Sequence, residues 1–255
     1  TLLNKFYYKK FIDLFESKNI SYKLIDYENY DGEFYIGRFA HALQDKKVHS
    51  LYFDKLYNHY GEKMWPNKKS YYYYDDKVKQ YELLKKYNIH HSSVTCTNMK
   101  GLLENISVGK VVKSTYGAGS ESTFYVWKSE HLKDIEKFVS QCYNHEDFFP
   151  CQIQDYIDVE YEYQIFDHPL SFPHPTNTNK NHWVGRNQKL IIEDLEQDDL
   201  DVEFINKLID IKKYLNTPNI KFDIIDNKVL EFTYLYGSTF PITYKTKHNY
   251  YDLLD

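Results

Sequence analysis

Arginine is scarce in this chain of 255 residues. Only two of its 32 basic residues are arginines, Arg38 and Arg186, whereas tyrosine occurs 27 times. Abundant Tyr, Lys, Asn and Ile are typical of an AT-rich genome, so the tyrosine run at residues 71–74 reflects codon usage rather than stacking on nucleic acid. The formal net charge of −5 also gives no sign of nucleic-acid binding. We therefore expect no nucleic-acid partner.

Cysteines are also few, and they follow no pattern. Cys96, Cys142 and Cys151 stand at unrelated spacings, which form neither a disulfide framework nor a zinc motif and predict a reducing cytoplasm. Apolar runs are short: none approaches the roughly 18 residues of a membrane span. Residues 1–10 lack the apolar core of a signal peptide. The length suffices for one large domain or for several small lobes.

Hydrophobic spacing predicts an α/β unit at the start of the chain and a strand-rich region after it. In the first unit, the predicted elements are a helix at 5–18, a strand at 21–27, an apolar piece at 34–36 and a strand at 49–53. The other predicted helices are at 76–88, 130–142 and 202–215. The other predicted strands are at 108–113, 123–127, 151–155, 160–166, 184–192, 220–225 and 229–234, with a Pro/Asn-rich loop at 168–182.

A lysine at the end of a predicted strand is the first candidate for binding chemistry. Lys113 follows two valines and precedes a small, flexible segment at 114–122. A buried lysine needs a partner of opposite charge, and a phosphate provides one. Glycines let backbone amides approach further phosphate oxygens. The segment is neither a Walker A loop nor a dinucleotide fingerprint, and an ordinary hairpin loop with an exposed lysine is an equally open interpretation.

Two carboxylates on a predicted hairpin are the second candidate. Asp223 and Glu231 flank a turn at Asp226-Asn227, so antiparallel pairing places them opposite each other or one diagonal step apart. Inward-facing carboxylates repel unless a cation joins them. Magnesium binds carboxylate and phosphate oxygens, and the hairpin therefore suggests a magnesium site. The alternative is that both acids lie on the solvated face of a strand.

The end of the predicted strand at 151–155 is a weaker candidate. Free backbone groups after such a strand could pair with the edge of an adenine, and Glu160 or Glu162 could accept hydrogen bonds from ribose hydroxyls. The segment in question is Gln154, Asp155, Tyr156 and Ile157. An ordinary strand end with solvated acids is the simpler interpretation.

The order of these segments resembles that of the ATP-grasp superfamily, which includes D-alanine–D-alanine ligase, glutathione synthetase and biotin carboxylase. A basic helix start, a lysine with a glycine-rich hairpin, a hinge with acids and an Asp/Glu hairpin follow one another over residues 64–241. The resemblance implies an α+β ATP-grasp fold, in which two lobes with antiparallel sheets grip ATP. The central lobe would be residues 76–150 and the C-terminal lobe 151–255. Residues 1–75 would form a shortened N-terminal α/β domain.

The resemblance also implies roles for individual residues. Lys77 and Lys113 correspond to the two lysines that contact the phosphates of ATP. The loop residues that would cover the phosphates are Gly117, Gly119, Ser120 and Ser122. The adenine hinge and the ribose acid would come from Gln154, Asp155, Tyr156, Ile157 and one of Glu160 and Glu162. The magnesium ligands would be Asp223, Glu231 and Thr233.

Some residues depart from the family pattern or stand outside it. Thr233 occupies a position that usually holds asparagine, a better ligand, so one magnesium ion could be lost or could keep an extra water. Arg186 is predicted to bind the acyl phosphate, with an ordinary surface ion pair as the alternative. His168, His174 and His182 lack the spacing of a zinc motif and are expected in a solvated or substrate-facing loop.

The predicted activity is ATP-dependent ligation of a carboxylate to an amine through an acyl phosphate, with ATP and Mg²⁺ as cofactors. Lys113 and Arg186 would stabilise developing charge. The small-molecule substrates would be amino acids, peptides or sugar acids, and the resemblance allows a homodimer. A small-molecule kinase with a sugar or other acceptor is the first alternative. A nucleotide-binding protein without catalysis is the second, suggested by Thr233 and by the short N-terminal domain.

Overall fold

Two antiparallel sheets, one of four strands and one of five, organise the computed structural model of the chain. The predicted α+β class with two antiparallel lobes is therefore confirmed. The structure describes residues 12, 15–23, 32–36, 43–74, 76–116, 122–142, 148–157, 161–166, 182–187, 192–195, 201–217 and 219–233.

The first predicted helix and strand lie largely outside these residues. Within the predicted helix at 5–18, residues 15–17 are helical, and within the predicted strand at 21–27, residues 21–23 form no strand. The apolar piece at 34–36 does contain a strand, β1, Tyr35–Ile36.

The predicted strand at 49–53 is wrong, because these residues lie inside helix α1, Leu43–Tyr60. Phe53, Leu56 and Tyr60 are buried, and their spacing of three and four residues places them on one face of a helix. A strand would put Phe53 and Leu56 on opposite faces. Neither α1 nor any other helix in the described part of the chain combines the length and apolar content needed to cross a membrane.

The tyrosine run belongs to a short helix that sequence spacing did not predict. Strand β2, Met64–Trp65, pairs in parallel with β1 and leads into α2, Lys68–Tyr73. Tyr71 and Tyr73 are buried together with Tyr74, the residue after the helix. Three of the four tyrosines of the run therefore pack in the protein interior, whereas Tyr72 is exposed.

Helix α3, Lys77–Lys86, begins where the sequence predicts an acid-capped helix. The Asp76 carboxylate accepts a hydrogen bond from the Lys79 N–H at 3.0 Å, which satisfies one of the backbone donors left free at a helix start. Leu83 and Leu84 on the next turn are buried. They anchor the helix to the core that covers one face of the five-stranded sheet.

The four-stranded sheet carries the predicted lysine strand and glycine-rich hairpin. In chain order, its elements are β3, Ser93–Cys96; α4, Met99–Asn105; β4, Lys110–Ser114; β5, Thr123–Val126; a 3-10 turn at Ser129–Asp134; α5, Ile135–Cys142; and β6, Cys151–Asp155. The strands lie in the order β3-β6-β4-β5, and every pair is antiparallel. Helices α4 and α5 cover the face that carries Val112, and strand alternation places Lys113 on the opposite face.

The five-stranded sheet carries the predicted carboxylates. Its elements are β7, Tyr161–Phe166; β8, His182–Asn187; β9, Ile192–Leu195; α6, Val202–Leu215; β10, Asn219–Ile225; and β11, Lys228–Thr233. The order is β11-β10-β7-β8-β9, with α6 packed on one face. The single strand predicted at 184–192 is wrong, because the chain reverses and β8 pairs antiparallel with β9.

The last hairpin matches its prediction closely. Asp226 and Asn227 both have positive φ angles, 48° and 54°, as a two-residue turn between antiparallel strands requires. The outer side of β11 is covered by the segment after α3. Val229 donates its N–H to Ile89 O at 2.7 Å and accepts from the His91 N–H at 3.3 Å. A connector that the sequence left without structure therefore continues the sheet and closes part of its edge.

The two leucines at the centre of α4 provide a matched test of this packing. Leu102 is 0% exposed, whereas its neighbour Leu103 is 42% exposed. Leu102→Ala should lower the free energy of unfolding by about 2–5 kcal/mol, because it leaves a cavity under the sheet. Leu103→Ala should cost less than about 1 kcal/mol. Urea unfolding followed by circular dichroism measures both, and equal losses would contradict the placement of α4.

Candidate functional site

A small cleft lies between helix α3 and the β10–β11 hairpin. It is lined by Lys77, Gln80, Lys221, Asp223, Glu231, Phe232 and Thr233. Four of these residues are predicted ligands of phosphate or magnesium. The fold thus brings a helix start and a hairpin, more than 140 residues apart in the chain, to one small volume.

Lys77 is held at the cleft by contacts between α3 and the end of β4. Its N–H donates to Thr115 O at 3.0 Å. The Tyr116 hydroxyl donates to Asp76 Oδ2 at 3.3 Å, and Lys79 Nζ lies 2.9 Å from the same oxygen. These contacts tie the first turn of α3 to residues 115 and 116, which open the predicted glycine-rich loop.

Lys113 comes to the same region from the four-stranded sheet. Register pairs it with Thr123 on β5 and Gln152 on β6. Burial lowers the pKa of Lys113, and the positive charge of Lys77 lowers it further, while Glu231 and Asp223 oppose both effects. The ammonium group of Lys113 therefore lies close enough to both carboxylates of the other sheet to interact with their charges, although Lys113 is not among the residues that line the cleft.

Asp223 and Glu231 are direct cross-strand partners in the register of β10 and β11. The predicted opposition of the two acids is confirmed, while their role as metal ligands stays a prediction. Burial favours the neutral form of Glu231, but the nearby ammonium groups of Lys77, Lys113 and Lys221 outweigh it and hold the pKa of Glu231 below its ordinary value. The carboxyl group is therefore ionised at neutral pH, the state in which it can bind a cation.

Lys221 is a cleft residue that sequence reasoning missed. Its Nζ lies 3.1 Å from Asp223 Oδ1. The two residues are two positions apart on one strand, so they share a face of the sheet. Strand alternation could have identified Lys221 from the sequence, because a residue two positions from Asp223 lies on the same face of the strand. The cross-strand partner of Lys221 is Thr233, which lines the cleft as well.

Two further predicted residues fall in the same cross-strand row as the carboxylates. Asp223 is paired with Glu162 on β7, and Glu162 is paired with Arg186 on β8. The row therefore runs from Arg186 through Glu162 and Asp223 to Glu231. Register alone brings these four positions together, although Glu162 and Glu231 lie 69 positions apart in the sequence.

The predicted loop and hinge are described only in part. Gly117, Gly119, Ser120 and Glu160 lie outside the described residues, as do His168 and His174. At the end of the loop, Ser122 is buried and its carbonyl accepts from the Ser114 N–H at 3.1 Å. This bond closes the base of the β4–β5 hairpin next to Lys113.

Several polar groups of the predicted adenine hinge, residues 154–157, are already hydrogen-bonded within the protein. Gln154 is buried, and the Asp155 carboxylate accepts a hydrogen bond from Lys110 Nζ at 2.6 Å, which lowers the pKa of Asp155. The Tyr156 N–H donates to Gly109 O at 2.9 Å and is not available to a base. A backbone donor for adenine would therefore have to come from another residue of the segment, such as Ile157.

The residues of the cleft fit a magnesium–triphosphate group. Two lysines of the cleft, Lys77 and Lys221, act on its two carboxylates together with the neighbouring Lys113, so positive charge is in excess and an anion is favoured. The described residues contain no group of three His, Cys, Asp or Glu side chains able to hold a metal by themselves. Two carboxylates suit Mg²⁺, which takes one or two carboxylates and completes its shell with phosphate oxygens and water.

Solved structures with a similar fold are ATP-grasp proteins. The RimK domain ATP-grasp protein from Sphaerobacter thermophilus matches with a TM-score of 0.58 over 88% of this chain and 84% of that chain, at 11% identity. D-alanine–D-alanine ligase from Helicobacter pylori matches with a TM-score of 0.54 over 73% and 62% of the two chains, at 15% identity. The ligase from Bacillus anthracis has 18% identity and a TM-score of 0.44, over 66% and 59%.

The chain thus spans 59% and 62% of the lengths of these two ligases. Its sequence matches no protein-family model and no curated protein. The structural matches show that the chain has the ATP-grasp fold, as the order of its motifs predicted.

His91 gives the region between the sheets a measurable pH dependence. Burial lowers its pKa below the ordinary 6.5, and Lys228 and Lys113 lower it further, against the opposing effects of Ser92 O and Asp155. As pH falls below about 6.5, the unfolded chain therefore binds a proton at this histidine before the folded chain does. The free energy of unfolding then decreases by at most about 1.4 kcal/mol per pH unit.

Replacing His91 should reduce this pH dependence. In His91→Gln, the free energy of unfolding should decrease less between pH 7.5 and pH 5 than it does in the wild type. His59→Gln, at an exposed position, should leave the slope unchanged, and an unchanged slope in His91→Gln would refute the assignment.

Proposed function

We propose that the chain is an ATP- and Mg²⁺-dependent ligase that joins a carboxylate to an amine. The observation that carries the proposal is the convergence of phosphate-type and magnesium-type groups from separate elements. Lys77 comes from α3, Lys113 from the four-stranded sheet, and Asp223 and Glu231 from the five-stranded sheet. The ATP-grasp fold supports the same conclusion.

In this proposal, Lys77 and Lys113 bind the phosphates of ATP. The loop that carries Gly117, Gly119, Ser120 and Ser122 closes over them. Gln154 to Ile157 contact adenine, and Glu160 or Glu162 binds the ribose. Asp223, Glu231 and Thr233 would hold magnesium, which supplies neutralisation of phosphate charge. Their arrangement costs little reorganisation, because Glu231 is already ionised beside three ammonium groups.

The proposed reaction has two steps. An oxygen of the substrate carboxylate attacks the γ-phosphorus of ATP, the bond to the β,γ-bridging oxygen breaks, and ADP leaves. The amine then attacks the carbonyl carbon of the acyl phosphate, loses a proton, and expels inorganic phosphate. Lys113 and Arg186 stabilise the charge that develops on the transferring phosphoryl group and on the acyl phosphate. No side-chain nucleophile is needed.

Amino acids, peptides and sugar acids are the proposed substrates, since each supplies a carboxylate or an amine of small size. The unpatterned cysteines support a reducing cytoplasm as the compartment. A homodimer remains a prediction.

A kinase that transfers the γ-phosphoryl group to a hydroxyl would use the same ATP site. Hydroxylamine separates the two chemistries, because it converts an acyl phosphate to a hydroxamate and leaves a phosphoester intact. Hydroxamate formed with ATP and a carboxylate substrate would support ligation. ADP release with a sugar acceptor and no hydroxamate would favour the kinase.

Removing the charge of Lys113 should weaken ATP binding. Lys113→Met should lower the affinity by about 1.5–3 kcal/mol, the range for hydrogen bonds to charged groups, which corresponds to roughly tenfold to 150-fold. Lys128→Met, at an exposed position two residues after β5, is the matched control and should bind like the wild type. Isothermal titration calorimetry with Mg·ATP decides, and wild-type affinity in Lys113→Met would remove this lysine from the site.

Changing the charge of Glu231 should stop turnover without unfolding the protein. Glu231→Gln keeps the side-chain volume and removes one negative charge from the proposed metal site, so ADP formation should fall to background. Thr233→Asn should be tolerated or should strengthen Mg²⁺ binding, because an amide oxygen reaches further and binds better than a hydroxyl. Glu203→Gln on the exposed face of α6 is the control. Wild-type ATP turnover in Glu231→Gln would place the metal elsewhere.

A further inference from the structure

Gln80 lines the cleft, and its side chain is fully engaged by backbone groups. It is 2% exposed. Its Nε2 donates to Phe232 O at 2.9 Å and to Tyr73 O at 3.0 Å. Its Oε1 accepts from the Phe232 N–H at 3.1 Å. One amide therefore satisfies three backbone groups from two other elements.

The bonds to Phe232 have the form of a strand pairing. Strand β11 stands at one end of the five-stranded order, and alternate residues of such a strand direct both N–H and C=O away from the neighbouring strand. Gln80 meets both groups of Phe232, as the backbone of an adjacent strand would. Further along β11, the backbone of Ile89 and His91 meets Val229 in the same way. The side-chain amide of Gln80 thus takes the place of a backbone partner at Phe232, a part of β11 beyond the bonds that Ile89 and His91 make to Val229.

The location of this contact relates it to the proposed chemistry. Phe232 stands between Glu231 and Thr233, two proposed magnesium ligands. Gln80 lies three residues after Lys77, one turn along α3, so both side chains lie on the same side of the helix. The two hydrogen bonds between Gln80 and Phe232 therefore link the turn of α3 that carries Lys77 to the strand segment that carries Glu231 and Thr233.

We propose that Gln80 is the positioning residue of the site: by pairing with both backbone groups of Phe232, it fixes Glu231 and Thr233 relative to Lys77. The proposal rests on the proposed function, in which a magnesium ion and phosphates occupy the space between these residues. Groups that orient metal ligands commonly change metal affinity by about 10-fold to 100-fold when they are removed. Gln80 acts on its ligands through the strand backbone rather than through their side chains.

Asn67 offers a matched control for the loss of a buried amide. It is also buried, and it also meets three backbone groups: its Nδ2 donates to the carbonyls of Leu215 and Asn216 at 3.0 and 2.5 Å, and its Oδ1 accepts from the Ser70 N–H at 2.8 Å. These bonds join the start of α2 to the end of α6. Asn67 is not among the residues that line the cleft.

The test compares Gln80→Met with Asn67→Ala in the full chain. Both variants should lower the melting temperature, because both leave backbone groups without their partner. Only Gln80→Met should raise, by about 10-fold or more, the Mg²⁺ concentration needed for half-maximal ATP binding in calorimetry. Hydrogen exchange gives a readout without nucleotide: the Phe232 amide should exchange faster in Gln80→Met and at the wild-type rate in Asn67→Ala. If Gln80→Met does not fold, Gln80→Asn, whose amide is one methylene shorter, replaces it.

The outcomes separate the two proposals. Wild-type protein that binds ATP with no dependence on Mg²⁺, or does not bind ATP, overturns the proposed function and this role with it. Wild-type protein with Mg²⁺-dependent binding, together with a Gln80 variant of unchanged Mg²⁺ dependence, overturns only the role of Gln80. A Gln80 variant that loses stability as Asn67→Ala does, and nothing more, makes Gln80 a structural residue.

Discussion

Two carboxylates stand directly opposite each other on neighbouring strands, and the positive charges of the cleft are arranged around them. Asp223 and Glu231 are fixed face to face by register, so neither can be moved away without breaking the hairpin. Compensation comes from three lysines supplied by three different elements. The cleft is therefore already polarised, and in the proposed function phosphate and a divalent cation would pair with groups that are charged beforehand.

This compensation depends on the outer edge of β11. An edge strand with free N–H and C=O groups attracts other strands and is easily displaced. Here the edge is occupied by the chain itself, through Ile89 and His91 near the turn and through Gln80 near the cleft. Helix α3 is thereby fastened to the strand that carries Glu231, and its first residue, Lys77, is fastened to the end of β4. Helix α3 therefore contacts both sheets, the four-stranded sheet near the end of β4 and the five-stranded sheet at β11.

Sequence periodicity predicted the parts of the fold that obey a single local rule. Helix α6 has the predicted bounds, 202–215, because its apolar residues repeat with helical spacing. The β10–β11 hairpin was recognisable from Asp226-Asn227, since these residue types tolerate positive φ. The opposition of Asp223 and Glu231 followed from that turn. The cap of α3 followed from Asp76 in the same way.

The errors arose where tertiary contacts override local pattern. Aromatic and apolar residues at 49–53 suggested a strand, but Phe53 is buried together with Leu56, a helical spacing that extends beyond the five-residue window. Gln80 gave no signal, because a glutamine on a helix is ordinary until a strand edge is known to lie beside it. Lys221 was missed although strand alternation from Asp223 would have found it. Side-chain to backbone pairing over long distances is not encoded in local periodicity.

The separation in sequence between Gln80 and Phe232, 152 residues, has a consequence for how the molecule forms. Contacts of such high contact order are slow to form, because a long loop must close before any of them is gained. During synthesis, α3 emerges long before β11, and its apolar residues Leu83 and Leu84 have no complete core to enter until the final hairpin follows. A chain interrupted before residue 228 would expose that apolar surface and would be prone to aggregation. Strand β11, which carries Glu231, thus also contributes Val229 and Phe232 to the core that receives these two leucines.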